Sequence, residues 1–158
     1  FRTFTGVKRR QEIRGEQRGV LVIDDFAHHP TAVRETIEAI RAAYNGRRIW
    51  AVFEPRSNTS KRSLFEREFA DALALADQVL VAPVFQPEKV VDGERLSVDR
   101  VVQRINQRCG EGRARMGNGA AEIAAMIARD ARAGDIVLVM SNGGFDNVYE
   151  KILRGLAA

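Results

Sequence analysis

A single cysteine, Cys109, stands in a chain of 158 residues. One thiol cannot close an internal disulfide or build a multi-cysteine metal cage, so neither staple holds this fold. None is needed, because a domain of this length buries roughly two thirds of the surface it exposes when unfolded. Long apolar runs are missing as well: none approaches the roughly 20 residues that cross a bilayer. The basic stretch Phe1–Arg10 lacks the apolar segment of a secretory signal. A cytoplasmic protein with no membrane partner is the expectation. Lysine is scarce, with only Lys8, Lys61, Lys89 and Lys151 among the 25 basic residues, so arginine supplies the other 21. Tryptophan occurs once, at Trp50, and the net charge is +4 with 21 acidic residues interspersed. Charge therefore makes no case for nucleic acid as a partner, despite the basic stretch from Lys8 to Arg18. Apolar residues at 45% and charged residues at 29% fit an ordinary globular domain. The chain opens at Phe1 inside a strand-forming segment, which suggests a piece of a longer protein.

Hydrophobic spacing predicts strands alternating with helices. Arg10–Arg14 reads as a short extended stretch, Gly15–Arg18 as a turn, and Val20–Ile23 as a buried strand. Pro30 sits where a helix can begin without losing a hydrogen bond. Val33, Ile37, Ile40 and Tyr44 follow at helical spacing until Asn45-Gly46. Further strands are expected at Arg48–Phe53, Val79–Ala82, Arg113–Met116 and Ile136–Met140. Helices are expected over Leu64–Ala76, Val98–Ile105, Ala120–Arg129 and Asn147–Leu156, the last opened by an Asn147/Glu150 capping box. Six strands and five helices in this order predict one α/β domain over residues 1–158. It is a three-layer, Rossmann-like arrangement: a mostly parallel six-stranded sheet, helices on both faces, and one antiparallel edge strand from the first hairpin.

Ligands of such sheets bind beyond the carboxyl ends of the strands. Four segments fall there: Asp24–Pro30, Glu54–Ser60, Pro83–Lys89 and Ser141–Asn147. Both histidines lie in the first. A carboxylate at a strand end beside imidazoles at a helix N-terminus suits a nucleotide, the carboxylate for ribose and the imidazole for phosphate. Alternatively, Asp25 or His29 caps the helix at Pro30. Two adjacent histidines with no third suitably spaced ligand do not make a metal site. In the second segment Arg56 suits a carboxylate or phosphate, while Thr59 or Ser60 could cap the next helix. Ser141-Asn142-Gly143-Gly144 has the form of an anion-binding turn or of a plain turn. Cys109 reads as an inert thiol. No phosphate-binding G-x-x-x-x-G-K-[ST] loop and no G-x-G-x-x-G is present, so a complete nucleotide-hydrolysing machine is not encoded here.

These residues do carry a resemblance. Gly6-Val7-Lys8-Arg9-Arg10 and Asp24-Asp25-Phe26-Ala27-His28-His29-Pro30-Thr31 resemble the start of the C-terminal domain of the Mur ligases, ATP-dependent amide-forming enzymes of peptidoglycan synthesis. Phe53-Glu54-Pro55-Arg56-Ser57-Asn58-Thr59-Ser60 and Met140-Ser141-Asn142-Gly143-Gly144-Phe145 are most similar to one branch. That branch attaches the tripeptide L-alanyl-γ-D-glutamyl-meso-diaminopimelate to UDP-N-acetylmuramate in peptidoglycan recycling. The resemblance implies a domain that closes over ATP and positions the incoming amine, which attacks an acyl phosphate formed from the muramoyl carboxylate. The phosphate-binding loop and most Mg²⁺ ligands would lie in a central domain absent from this chain, leaving the isolated domain inactive.

By the same resemblance, Arg10 would face the nucleotide phosphates, with Arg9 its substitute. Asp25 would contact the ATP ribose, and His28 would lie near the phosphates. Arg56, Asn58 and Ser60 would lie near the peptide substrate, with Asn142, Gly144 and Asp146 on a second substrate loop. Asp146 is then a contact for an ammonium group. Pro83–Lys89 lacks the Asn-Pro-Arg signature of the diaminopimelate-adding ligase. Two alternatives stand beside this reading. One is the ligase that adds L-alanine to UDP-N-acetylmuramate, whose counterpart of Glu54–Ser60 usually reads more like Gln-Pro-His-Arg-Tyr-Thr-Arg. The other is a phosphoacceptor receiver-like signalling module, which Asp24-Asp25 would suit but Glu54 and Ser141-Asn142 would not.

Overall fold

Residues 10–158 are described by a computed structural model. The expected strings Gly6–Arg9 and the opening strand-like segment lie outside the described residues. Strand β1 (Glu12–Gln17) pairs antiparallel with β2 (Val20–Asp25). The hairpin differs from the expected one. β1 runs through Gly15, with a register shift between Ile13 and Gly15, and the turn is Arg18-Gly19. Both turn residues have positive φ, 56° and 75°, the two-residue geometry whose twist matches that of the flanking strands.

Helix α1 (Pro30–Ala43) follows, with Pro30 at its first turn and Val33, Ile37 and Ile40 buried. Each such side chain removed from water contributes roughly 1.5–3 kcal/mol. Then come β3 (Ile49–Phe53), α2 (Glu66–Leu73), β4 (Gln78–Val81), α3 (Val98–Cys109), β5 (Ala114–Met116), α4 (Ala120–Asp130), β6 (Ile136–Met140) and α5 (Val148–Ala157). The sheet order is β1-β2-β6-β3-β4-β5, parallel except for β1. This is the expected six-stranded sheet with one antiparallel edge strand. The final strand inserts between β2 and β3, so their carboxyl ends flank its own.

Period-two alternation divides the core. Leu21, Ile23, Ala51, Phe53 and Leu138 face α1, α2 and α3 on one side. Val20, Val22, Trp50, Val52 and Val139 face α4 and α5 on the other. Because every central strand is covered on both faces, it reads as an unbroken apolar run instead of an alternating one.

Helix starts differ in two places. The Asn147/Glu150 capping box does not form: Asn147 is left-handed (φ 50°) and makes no side-chain cap bond. It follows Phe145 and Asp146, also at positive φ, whereas a capping residue needs extended backbone to reach the first free N–H groups. Likewise, neither Thr59 nor Ser60 caps α2, which enters through a 3-10 turn at Ser63–Phe65 with no side-chain cap.

Candidate functional site

The pleat separates the two aspartates that end β2. Asp24 follows the even-numbered residues to the α5 side. It is fully buried there and accepts from Arg14 Nη2 at 2.9 Å, while the Arg14 guanidinium lies 4.3 Å over the Tyr149 ring. Asp25 turns to the α1 side. Its Oδ1 accepts from Ala27 N at 2.8 Å and Thr36 Oγ1 at 3.4 Å, and its Oδ2 from Gln11 N at 2.9 Å. Burial pushes the Asp25 carboxyl above its ordinary range, against these hydrogen bonds; nearby Asp24 adds to the rise.

Beside it lies a cavity of about 370 Å³ lined by Arg10, Asp25, Phe26, His28, Glu35 and Thr36, among others. His28 Nδ1 sits 2.8 Å from the Phe26 carbonyl. A carbonyl only accepts, so Nδ1 is the donor of this bond. His29 resolves the capping alternative: its Nδ1 accepts from Thr31 N at 3.3 Å, and its ring packs edge-on to Phe65 at 5.2 Å. Asp25 is therefore not the cap.

Across the end of β6 a second cluster forms. Ser141 N donates to the Asp25 carbonyl at 3.2 Å, and Glu54 N to the Met140 carbonyl at 3.1 Å, which ties three strand ends together. Glu54 is buried and accepts from Ser141 Oγ at 2.8 Å. Arg56 Nη1 lies 3.5 Å from Glu54 Oε1, and its guanidinium sits 3.7 Å over the Phe85 ring. Phe85 is held in turn by its N–H on the Pro55 carbonyl at 2.9 Å. From the other side Gly143 leaves no spare room, since a Cβ there would lie 1.9 Å from Arg56 Nε. Carboxylate, ring and glycine backbone thus fix one guanidinium at the rim. Next to that glycine, the buried Asn142 Oδ1 has no hydrogen-bond partner among the described residues. A buried acceptor left unmade costs about 1–3 kcal/mol.

The cavity at one strand end and the positioned guanidinium two strands away belong to a chain that matches a known family. The family described as "Mur ligase, glutamate ligase domain" matches residues 9–143. The chain belongs to the Mur ligase family. It is similar to the Escherichia coli K12 UDP-N-acetylmuramate–L-alanyl-γ-D-glutamyl-meso-2,6-diaminoheptandioate ligase, 40% identical over 157 residues, covering 98% of this chain and 32% of that enzyme. A UDP-N-acetylmuramate–L-alanine ligase of Kineococcus radiotolerans is 37% identical over 154 residues, covering 98% and 32%. Among solved structures, a murein peptide ligase of Psychrobacter arcticus superposes with a TM-score of 0.79 at 34% identity, covering 98% of this chain and 31% of that one. The chain spans about a third of the length of these relatives. Membership in a ligase family also sets aside the receiver-like reading.

Within this Mur ligase domain, the expected site residues fall into distinct environments. Arg10, Asp25 and His28 share the 370 Å³ cavity. Arg56 and Asn142 belong to the second cluster. Asn58 and Gly144 are exposed on the two loops. Ser60 is fully buried, bound to Ser57 N at 3.0 Å and Ser57 Oγ at 2.8 Å, so its hydroxyl shapes the loop around Arg56. Asp146 is exposed and its carboxylate pairs with Lys151 Nζ. Sequence reading missed Thr36, Glu54, Phe85 and Gly143 as individual contributors. A signal existed for Glu54, an acid directly ending an apolar strand; nothing local marks Phe85 or Gly143. Among the described residues no group of three or more histidine, cysteine or acidic side chains is gathered for a metal. No helix among them is long and apolar enough to cross a membrane.

Proposed function

We propose that this chain is the C-terminal domain of an ATP-dependent ligase that joins L-alanyl-γ-D-glutamyl-meso-diaminopimelate to UDP-N-acetylmuramate in cytoplasmic peptidoglycan recycling. The observation that carries the reading is the guanidinium of Arg56, pinned by Phe85, Glu54 and Gly143 beside the unsatisfied Asn142 Oδ1. A planar fork of donors suits a carboxylate, and a bare acceptor beside it suits an ammonium or amide N–H. A peptide bearing a diamino acid offers both groups. The 40% identity to the tripeptide ligase of E. coli supports the same choice.

On this reading, Arg10 meets the nucleotide phosphates with His28 beside them, and the remaining lone-pair capacity of Asp25 meets ribose hydroxyls. Arg56, Asn142 and the exposed Asn58 and Gly144 hold the peptide, with Ser60 bracing their loop. Asp146 meets the substrate ammonium by exchanging Lys151 for it. The residues fit ATP better than they fit its Mg²⁺, whose ligands come mostly from outside this domain. The domain contributes by position: closing brings the peptide amine to the acyl phosphate of the muramoyl carboxylate, the kind of orientation that lowers a bimolecular barrier. Alone it is inactive.

The test is ADP formation by the full-length parent protein with ATP, Mg²⁺ and UDP-N-acetylmuramate, comparing the tripeptide with free L-alanine. Turnover with the tripeptide alone is expected. Turnover with L-alanine alone would overturn the substrate assignment and leave the fold and nucleotide residues standing, an outcome given weight by the 37% identity to an L-alanine ligase.

A further inference from the structure

At the opposite end of the sheet, beneath the amino ends of the strands, a second cavity of about 470 Å³ is lined by Arg48, Trp50, Arg115, Arg129, Asp130 and Arg132, among others. The polar groups in and behind its wall centre on two carboxylates, linked by Arg48 Nη2 donating to the Asp130 carbonyl at 3.3 Å. Asp135 takes three bonds from Arg48 at 2.6–3.2 Å, one from Trp50 Nε1 at 2.9 Å and one from Arg132 N at 2.9 Å. Asp130 takes Arg129 through two bonds at 2.9 and 3.1 Å and Arg115 through one at 2.9 Å. These bonds hold its carboxyl down to about 2.

Two carboxylates thus face four guanidinium groups. Both acids keep their charge at neutral pH, so the cluster carries two surplus positive charges. The C-terminal end of α4, which carries roughly half a negative charge, offsets only part of that. Part of this positive charge is left without a partner. The Arg132 guanidinium makes no hydrogen bond or ion pair among the described residues, and only its backbone is bonded. Arg115 spends one terminal nitrogen on Asp130, and Arg48 leaves Nη1 unused. Trp50 is 1% exposed, with Arg48 and Arg115 5.4 and 5.9 Å from its ring. Its ring therefore floors the cavity but has no open face on which a base could stack.

We infer that this cavity is a second anion site, separate from the nucleotide-type cavity at Asp25, and that it binds phosphate groups of small phosphorylated metabolites, diphosphates best. Arginine forks match phosphate oxygens in geometry and charge. The buried indole leaves the rest of such a ligand unread, so pyrophosphate alone should bind as well as any ester of it. The proposal does not depend on which amine the ligase joins.

The test uses Trp50, the only tryptophan, whose indole N–H bonds to Asp135 inside the network. Its resonance is followed by ¹H–¹⁵N NMR on this chain during titration with pyrophosphate, against sodium chloride of equal ionic strength. A saturable shift with pyrophosphate and none with chloride is expected. Arg132→Ala removes a side chain without partners, so it should fold unchanged and weaken binding roughly three- to tenfold. Arg115→Ala should weaken it further, and Arg10→Ala should leave the indole response intact. An unmoved indole signal, an equal shift with chloride, or full affinity in Arg132→Ala with Arg115→Ala would each overturn the site. Loss of the response in Arg10→Ala would also overturn it, because binding would then belong to the Asp25 end.

Discussion

Gly143→Ala separates folding from substrate recognition. The added Cβ would fall 1.9 Å from Arg56 Nε and 2.3 Å from Arg56 Cδ and Cζ, where ordinary contact begins at 3.4 Å. Something must give by the difference, 3.4 − 1.9 = 1.5 Å. Gly143 lies outside the left-handed region, so alanine brings no backbone strain, and the yielding group is the long Arg56 side chain. Leaving the Phe85 face forfeits about 0.5–2 kcal/mol of cation–π attraction. The part-exposed pair with Glu54 adds at most about 1 kcal/mol. Against this, replacing glycine gains about 0.4–1 kcal/mol through the unfolded chain. The net effect lies between near zero and a loss of about 2.6 kcal/mol, a fall in melting temperature of at most roughly 5–10 °C for a domain this size. Recognition should suffer far more. A charge-assisted bond to a substrate carboxylate contributes about 1.5–3 kcal/mol, so KM for the peptide should rise roughly 10- to 150-fold. Thermal melts of this chain and ADP release by the full-length protein, with peptide and ATP varied separately, measure both quantities. An unchanged peptide KM would refute the role given to Arg56. Equal rises in the peptide and ATP constants would refute the separation of the two clusters.

Three further outcomes are expected. Asp25 has a raised folded-state pKa, so its contribution to stability is fully present below the unfolded value of 3.8 and is lost as pH rises through the folded value. Asp25→Asn should therefore give a flatter pH profile of melting above pH 3.8, with the bond from Gln11 N lost because an amide NH2 cannot accept it, while ATP KM in the full-length protein rises; an unflattened profile with unchanged ATP KM would contradict both roles. Asp135→Ala strips the acceptor from Arg48, Trp50 Nε1 and Arg132 N and should cost about 2–4 kcal/mol in urea unfolding, discounted because Arg48 is partly exposed. Phe69 is fully buried and stacked on Phe53 with centroids 5.1 Å apart, so Phe69→Ala should cost about 3–5 kcal/mol, checked by the same unfolding curves.

Most elements were legible from spacing because both periodicities are local. Val33, Ile37 and Ile40 mark one helix stripe, and the apolar run Ile136–Met140 marks one doubly covered strand. Misreadings fell where backbone geometry outweighed residue type. Gly15 looked like a turn residue but lies within β1, and Asn147 looked like a cap but is left-handed. Asp25, Arg56 and Asn142 could be nominated because strand ends are predictable. The environment that gives each its chemistry could not.

The structure extends β2 to Asp25, two residues past the expected strand, and this sends Asp24 and Asp25 to opposite faces; the sequence by itself determined that both lie at the carboxyl end of that strand. It also determined the alternation of strands and helices, and with it which loops gather at the carboxyl rim. Only the tertiary structure decided that β6 inserts between β2 and β3, which brings Ser141 onto Glu54 across 87 residues of chain. The same pairing seats Gly143 against Arg56 and collects four arginines around Trp50 at the far end. Strand order is fixed by long-range pairing and helix packing, to which local periodicity is blind: each strand's pattern says that it has neighbours, not which ones.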